Sequence, residues 1–167
     1  MYKCKEVNVD YLQNAPRVFR SLVEVAATPE QIFASFEEAG DWPQWALPIQ
    51  KVEWTSPKPY GLGTTRRVWM SGNLVADEVF IAWEYPKHMA FCFSHCSQSL
   101  IDTFVEDYQL TVLPNGKTQV VWTMGMSPTG FGKFTMAISA PLLRMANQWM
   151  LGRFAKHVEK RVARQAA

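Results

Sequence analysis

The chain has 167 residues, of which 48% are hydrophobic and 13% aromatic, and its formal net charge is +2. This length lets one domain bury a core without disulfides or metals, and no run of about 18 apolar residues predicts a transmembrane helix. Residues 1–14 are polar and lack the apolar segment of a signal peptide, so we expect a cytoplasmic location. We predict a single domain over 1–167, with its core over about 17–164 and an N-terminal arm over 1–16.

The three cysteines, Cys4, Cys92 and Cys96, do not form a disulfide framework. If Cys92 and Cys96 share a strand, their Cα atoms lie about 13 Å apart, and a disulfide needs them within about 7 Å. His95 between them could suggest zinc, but strand alternation points it away from both cysteines and a fourth ligand is missing. We therefore predict no metal and no cofactor.

Positive charge is concentrated near the C-terminus, where residues 131–167 contain seven lysines or arginines and one acid. One interpretation is a patch that binds nucleic acid or a membrane surface. The other is that cations crowd the negative end of a helix dipole, as Lys156, Lys160, Arg161 and Arg164 would do. We favour the second interpretation and predict no nucleic-acid partner.

The first predicted elements are a strand and a short helix. Residues 17–26 alternate between apolar and polar side chains, which is typical of a half-buried strand. Thr28 is placed to cap the helix, with Pro29 in the first helical position and Gln31 able to close a capping box. Asp41 is placed to cap a second short helical turn.

Consecutive strands are predicted next, separated by turn signals that are spaced for hairpins. They cover residues 49–55, 64–71, 74–83, 89–96, 103–112 and 118–126. No helical pattern interrupts them, which favours an antiparallel sheet.

A long helix is predicted after residue 130, where the apolar residues change to a helical period. They crowd residues 131–151 and then continue as a narrower stripe to Val162. Pro141 must kink this helix or start its main part, with Ser139 as a cap. A helix that is apolar nearly all round in its first half is expected to be enclosed at that end.

The order of these elements resembles the START-like (SRPBCC) superfamily, in the branch called polyketide cyclase/dehydrase-like. The similarity covers about residues 17–164, and the segments that carry it are 23–30, 41–45, 61–65, 114–118 and 120–122. It implies an α+β helix-grip fold, in which a curved antiparallel sheet wraps around a long C-terminal helix, with two short helices after the first strand. It also implies a cavity between sheet and helix. Such cavities in that superfamily bind lipids, hormones or aromatic polyketides, and only some members are enzymes.

Strand alternation identifies ionisable residues on otherwise apolar strand faces. Asp77 interrupts the apolar face of 74–83, Glu106 interrupts that of 103–112, and His95 and Arg66 lie on apolar faces of their own strands. A buried ionisable group costs several kcal/mol unless it is paired, so such placements indicate function. The catalytic candidates are Asp77, His95 and Glu106. A slip of one residue would exchange Asp77 for Glu78, and Arg66 could instead form a structural pair with Glu106.

The candidate ligand-binding residues combine these polar groups with aromatic and methionine side chains. They are Arg66, Trp69, Asp77, Phe93, His95, Glu106, Tyr108, Trp122, Met145 and Trp149.

Two functions stay open on this evidence. The first is binding of a small, largely hydrophobic molecule by a carrier, sensor or sequestering protein. The second is a cyclase or dehydratase for an aromatic or polyketide-like substrate, in which Asp77, His95 or Glu106 moves protons and Arg66 or Tyr108 stabilises an enolate oxygen. The two functions are distinguished by whether an inward carboxylate and an imidazole come within about 3 Å of a common point in the cavity. A domain that binds a partner through its basic helix end is a third possibility.

Overall fold

The computed structural model describes residues 1–130 and 132–165, with the helical segment 132–138 described by its backbone alone. The helices are α1 (Pro29–Glu37), α2 (Trp42–Trp45) and α3 (Gly132–Gln165), and a 3₁₀ turn covers Val9–Gln13. The strands are β1 (Tyr2–Lys3), β2 (Arg17–Val25), β3 (Ile49–Trp54), β4 (Thr65–Met70), β5 (Leu74–Glu84), β6 (His88–Cys96), β7 (Ile101–Val112) and β8 (Thr118–Pro128).

The strands form one antiparallel sheet in the order β2-β8-β7-β6-β5-β4-β3. From β3 to β8 each strand pairs with the next in the chain, as hairpins require, whereas β2 pairs with the last strand. The sheet curves around α3, and α1 and α2 follow β2. The predicted α+β helix-grip architecture is therefore confirmed.

The capping box that the sequence predicts at the start of α1 is present. The backbone N–H of Gln31 donates to the Thr28 hydroxyl, and the Gln31 side chain accepts from the backbone N–H of Thr28 at 2.9 Å. At the other end, the indole N–H groups of Trp42 and Trp54 donate to the carbonyls of Phe36 and Glu37. Both ends of this short helix thus have side-chain partners for their free backbone groups.

Asp41 does not cap α2, because its side chain makes no hydrogen bond to the backbone there. Its carboxylate instead accepts a hydrogen bond from the Ser35 hydroxyl at 2.7 Å and contacts Arg161 and His157 of α3. The prediction of a capping role was wrong. This side chain ties the two short helices to the long one.

Helix α3 begins at Gly132 and continues through Pro141. Of the two alternatives predicted for Pro141, a start of the main part with Ser139 as its cap is therefore wrong, since Ser139 lies inside the helix. Later in the helix, the Gln148 side chain bonds both the N–H and the carbonyl of Leu22, at 3.2 and 2.8 Å. This contact satisfies part of the free edge of β2. Within the described residues, no helix is long and apolar enough to cross a membrane.

The N-terminal segment fills a gap in the sheet. The β6–β7 ladder ends at the Cys92–Val105 pair, and beyond it the two strands separate. The N–H groups of Cys4 and Lys5 donate to the carbonyls of Ser94 and Asp102, at 2.9 and 2.8 Å. The first residues of the chain therefore bridge β6 and β7.

Residues after this bridge cross the sheet on its outer face. A Cβ atom at Gly125 of β8 would lie 2.5 Å from Cδ2 of Leu12, so any larger residue at this position would force the Leu12 side chain to move. The Tyr11 hydroxyl also lies 2.6 Å from the hydroxyl of Ser127.

Candidate functional site

A cavity of about 420 Å³ lies between the sheet and α3. Strands β5 to β8 form its floor, and α2, the loop after α2 and α3 form its walls. Most of its lining is aromatic or sulfur-containing, and examples are Phe93, Phe104, Tyr108, Trp122, Met124 and Met126.

The opening of the cavity lies between the loop after α2 and the middle of α3. Leu47 in the loop and Trp149 on the helix both line the cavity, and they are 53% and 51% exposed to solvent. Most other lining residues are buried or half-buried. These two side chains flank the opening.

Polar groups form a cluster on the floor of the cavity. The only lining residues with acidic or basic side chains, among those described, are Glu78 and Glu106, which are 3% and 8% exposed. The Tyr108 hydroxyl donates to Oε2 of Glu106 at 2.6 Å. The buried side chain of Asn147 adds an amide from α3, and Nε1 of Trp122 is buried without a hydrogen-bond partner among the described residues.

Arg66 lies behind this cluster rather than in the lining. Its Nε donates to Oε2 of Glu78 at 2.5 Å, and both side chains are buried. The guanidinium carbon lies 4.0 Å from the ring centre of Trp42 and 4.5 Å from that of Phe91, within the range of cation–π attraction. The ion pair and the aromatic rings together compensate part of the cost of burying this charge.

Burial shifts the ionisation of the whole cluster. It raises the pKa of the Glu106 carboxyl to about 7, although the hydrogen bond from Tyr108 acts in the opposite direction. It also raises the pKa of Glu78, with the charge of Arg66 opposing the shift. Burial, followed by the charge of Glu106, raises the pKa of Tyr108 well above its usual value. Glu106 is thus a carboxyl that can exchange a proton near neutral pH, inside an apolar cavity.

Asp77 and His95 do not face the cavity, so the prediction of their inward orientation was wrong. Asp77 lies on the outer face and accepts two hydrogen bonds from Arg67, at 2.6 and 2.9 Å. Glu78 pairs with Phe93 and Asp77 with His95, which leaves Ser94 as an extra residue in β6. Because of this bulge, His95 faces outward rather than inward. In β5 it is Glu78 that faces inward, so Asp77 beside it faces outward.

The other predicted residues divide by position. Phe93, Glu106, Tyr108, Trp122 and Trp149 line the cavity. Trp69 lies on the outer face, where Nζ of Lys51 is 4.5 Å from its ring centre, and Met145 is 69% exposed and outside the lining.

Sequence reasoning did not select most of the cavity lining, and Glu78, Trp42 and Asn147 are three consequential omissions. Glu78 entered only as the alternative to Asp77. A signal for Glu78 was available in the consecutive pairs Arg66-Arg67 and Asp77-Glu78. On neighbouring antiparallel strands these pairs give one ion pair on each face, and Arg66 does align with Glu78. No comparable signal identifies Trp42 or Asn147.

Residues 17–159 match a family model described as polyketide cyclase/dehydrase and lipid transport. The chain also resembles an uncharacterised protein of Mycobacterium tuberculosis, with 40% identity over 163 residues that cover 98% of this chain and 97% of the relative.

Solved structures share the same fold. The Zhui aromatase/cyclase from Streptomyces sp. R1128 has a TM-score of 0.68 and 14% identity, and the match covers 87% of this chain and 95% of that one. A START superfamily protein from Mycobacterium smegmatis has a TM-score of 0.63 and 15% identity, over 89% of this chain and 98% of the other. These structures show a shared fold, and the family model that matches residues 17–159 shows that the chain belongs to the polyketide cyclase/dehydrase and lipid transport family.

Proposed function

We propose that this protein binds a small, largely apolar molecule in the cavity between its sheet and α3. The observation that carries the proposal is the cavity itself, which is about 420 Å³ in volume, lined mainly by apolar side chains and open on one side. Ligand sites typically have about 300–1,000 Å³, an apolar lining and a few polar groups that orient the ligand. The cluster around Glu106 supplies such polar groups here.

The proposal is tested by filling the cavity from α3. Ala146 lines the cavity, whereas Ala163 lies exposed on the same helix. We expect Ala146→Trp to weaken binding of the apolar dye Nile red at least about 10-fold, because the indole occupies the ligand's volume. The matched variant Ala163→Trp should bind as wild type does.

The readout is Nile red fluorescence titration, together with native mass spectrometry of the purified protein to detect a co-purified small molecule. Melting temperatures of both variants show that they are folded. Equal Nile red affinity in Ala146→Trp and wild type would place binding elsewhere and contradict the proposal.

A second candidate function, favoured by Glu106, is acid–base catalysis on an aromatic or polyketide-like substrate. A carboxyl whose pKa is raised to about 7 by burial can both donate and accept a proton at neutral pH. Tyr108, which donates to it at 2.6 Å, fixes its position on the cavity floor. Histidine is absent from the cavity lining over the described residues, so Glu106 is the one of the three catalytic candidates that faces the cavity.

Turnover and affinity together separate the two functions. If the protein is a cyclase or dehydratase, Glu106→Gln should lower the rate by about 10²–10⁴-fold with little change in substrate affinity. If it is a binding protein, a panel of polyketide-type substrates is bound without turnover, and Glu106→Gln shifts affinity by only about 0.5–1.5 kcal/mol. We expect the second outcome.

A further inference from the structure

The polar cluster of the cavity has unused hydrogen-bonding capacity of two kinds. Among residues with described side chains, Tyr108 is the one hydrogen-bond partner of Glu106, and it contacts Oε2, which leaves Oε1 as a free acceptor. Nε1 of Trp122 is a buried donor that has no partner in the same set of residues. A buried polar group without a partner is costly, so both atoms favour a ligand that supplies one.

The free acceptor and the free donor lie next to each other. Trp122 of β8 is aligned with Tyr108 of β7, and their rings stack with centres 5.8 Å apart. Tyr108 in turn holds Glu106, two residues along the same strand. The indole N–H of Trp122 also acts on the Glu106 carboxyl as a donor and lowers its pKa, although the two groups do not meet the geometry of a full hydrogen bond. One small polar group of a ligand can therefore meet both side chains.

The charge of the lining disfavours an anionic ligand. Its two ionisable acids are Glu78 and Glu106, and the described lining contains no lysine, arginine or histidine. The nearest cation, Arg66, has Nη1 and Nη2 without a hydrogen-bond partner among the described residues, but it lies outside the lining. Its Nε contacts Glu78 at 2.5 Å, and its guanidinium packs against the rings of Trp42 and Phe91 rather than facing the cavity. A carboxylate or phosphate would enter an apolar cavity beside these acids without a cation to pair with, which is strongly unfavourable.

A neutral hydroxyl is the group that matches this arrangement. It donates one hydrogen bond and accepts others, so it can donate to Glu106 and accept from Trp122 at the same time. At pH 7.5, above the pKa of about 7, the Glu106 carboxyl is mainly ionised and only accepts. A carbonyl or carboxylate also only accepts and therefore cannot bond to it, and a protonated amine cannot accept from Trp122. We infer that the ligand of this cavity is an apolar alcohol or phenol whose hydroxyl lies between Glu106 and Trp122. This inference rests on the proposed binding function and adds the chemical class of the ligand.

The test is a series of probes that share one apolar body: pyrene, 1-hydroxypyrene and pyrene-1-carboxylate. Binding is measured at pH 7.5 by energy transfer from the protein's tryptophans to the pyrene ring. We expect 1-hydroxypyrene to bind about 3- to 10-fold more tightly than pyrene, as one or two hydrogen bonds allow. Pyrene-1-carboxylate should bind at least about 10-fold more weakly than 1-hydroxypyrene, because its charge is not compensated.

Two variants assign the preference to the named side chains. In Glu106→Leu and in Trp122→Phe the advantage of 1-hydroxypyrene over pyrene should fall to about onefold to twofold, with pyrene still bound. The matched control Glu84→Leu removes a carboxylate whose side chain is 75% exposed at the end of β5, and it should keep the full preference. Because the wild-type series already tests the inference, a variant that fails to fold does not decide the outcome.

The possible failures are distinguishable. If pyrene binds but 1-hydroxypyrene has no advantage, or if the carboxylate binds most tightly, the hydroxyl inference is wrong and the binding function stands. If none of the three probes binds, the proposed binding function fails, and the inference fails with it.

Discussion

Two ion pairs lie back to back across the β4–β5 ladder, in very different surroundings. Arg66 and Glu78 face the core and are both buried, whereas Arg67 and Asp77 face outward with side chains 43% and 26% exposed. The same pair of charges thus occurs once in an apolar interior and once near water. Removing one partner is costly only for the buried pair, because the charge that remains there has no solvent to interact with.

The first prediction compares these two pairs. Arg66→Met should lower the free energy of unfolding by about 3–5 kcal/mol, since it leaves Glu78 buried without a partner. Arg67→Met is the matched control, and it should cost less than about 1 kcal/mol. The double variant Arg66→Met/Glu78→Met should recover much of the loss, because it removes both charges.

Urea denaturation followed by tryptophan fluorescence measures all of these variants. Equal losses for Arg66→Met and Arg67→Met would contradict the assignment of Arg66 and Glu78 to the interior.

The alternation of apolar and polar residues predicted which side chains face the core in β7 but not in β5. In β7 the apolar residues Phe104, Tyr108 and Leu110 share one face, and between residues 103 and 112 Val105 is the one apolar residue on the other face. The inward position of Glu106 therefore followed from the pattern. In β5 both faces carry apolar residues, and two register shifts against β6 move side chains from one face to the other. Where this pattern is ambiguous, the pairing of opposite charges on neighbouring strands shows which residues face the core. The sequence of one strand alone does not contain that information.

Helix α3 combines a structural half with a ligand-facing half. Phe154 is fully buried and stacks on Phe36 with ring centres 5.0 Å apart. Trp149, just over one turn earlier, is 51% exposed at the opening of the cavity, with the Arg153 guanidinium 5.1 Å from its ring centre. Neighbouring large aromatic residues on one helix therefore have different roles.

The second prediction separates these roles. Phe154→Ala should lower the free energy of unfolding by about 3–5 kcal/mol, as expected for a buried aromatic residue. Trp149→Ala should cost clearly less, because half of its surface is already exposed, and should change Nile red affinity instead. Urea denaturation and dye titration of both variants provide the comparison. A loss of stability in Trp149→Ala as large as in Phe154→Ala would show that Trp149 belongs to the core.

The limits of element prediction have physical causes. The capping box of α1 is a local interaction among four residues, so its sequence pattern was sufficient. Pro141 misled the prediction for α3, because a proline inside a helix is rare enough to suggest a boundary. Strand β1 has only two residues, and it exists because a gap between β6 and β7 accepts it. Such a partner-dependent strand has no periodicity of its own.

At the scale of the molecule, Glu106 and His88 make the stability depend on pH in the same direction, and the raised pKa of Glu78 adds to this dependence. Burial raises the pKa of Glu106 to about 7, above its ordinary value. Between about pH 4.5 and 7 the folded state keeps a proton that the unfolded state has released, so stability falls as the pH rises.

The His88–Asp107 contact, at 2.5 Å, adds to this dependence. The hydrogen bond that the His88 imidazole donates to the Asp107 carboxylate raises the pKa of His88 above its ordinary value. The contact therefore stabilises the protein fully below about pH 6.5, and this stabilisation is lost as the pH rises through the raised value.

The third prediction follows from these signs. The free energy of unfolding of the wild type should decrease between pH 5 and pH 8. In Glu106→Gln the decrease below pH 7 should be smaller, by a few kcal/mol at most. His88→Gln should flatten the part above about pH 6.5. Asp10→Asn, at an exposed position, should leave the slope unchanged. Urea denaturation at five pH values is the measurement, and a stability that rises over this range would contradict the assignment.

The pairing of β2 with β8 has a consequence for how the chain folds during synthesis. Val25 pairs with Thr118 and Arg17 with Met126, so the partners are 118 − 25 = 93 and 126 − 17 = 109 residues apart. The ribosome therefore releases β2 long before its partner strand, and α3, which covers its other edge, is made later still. Contacts this distant along the chain form slowly. In a nascent chain β2 is an unpaired, half-apolar strand, and it is the segment that a chaperone would have to protect until translation ends.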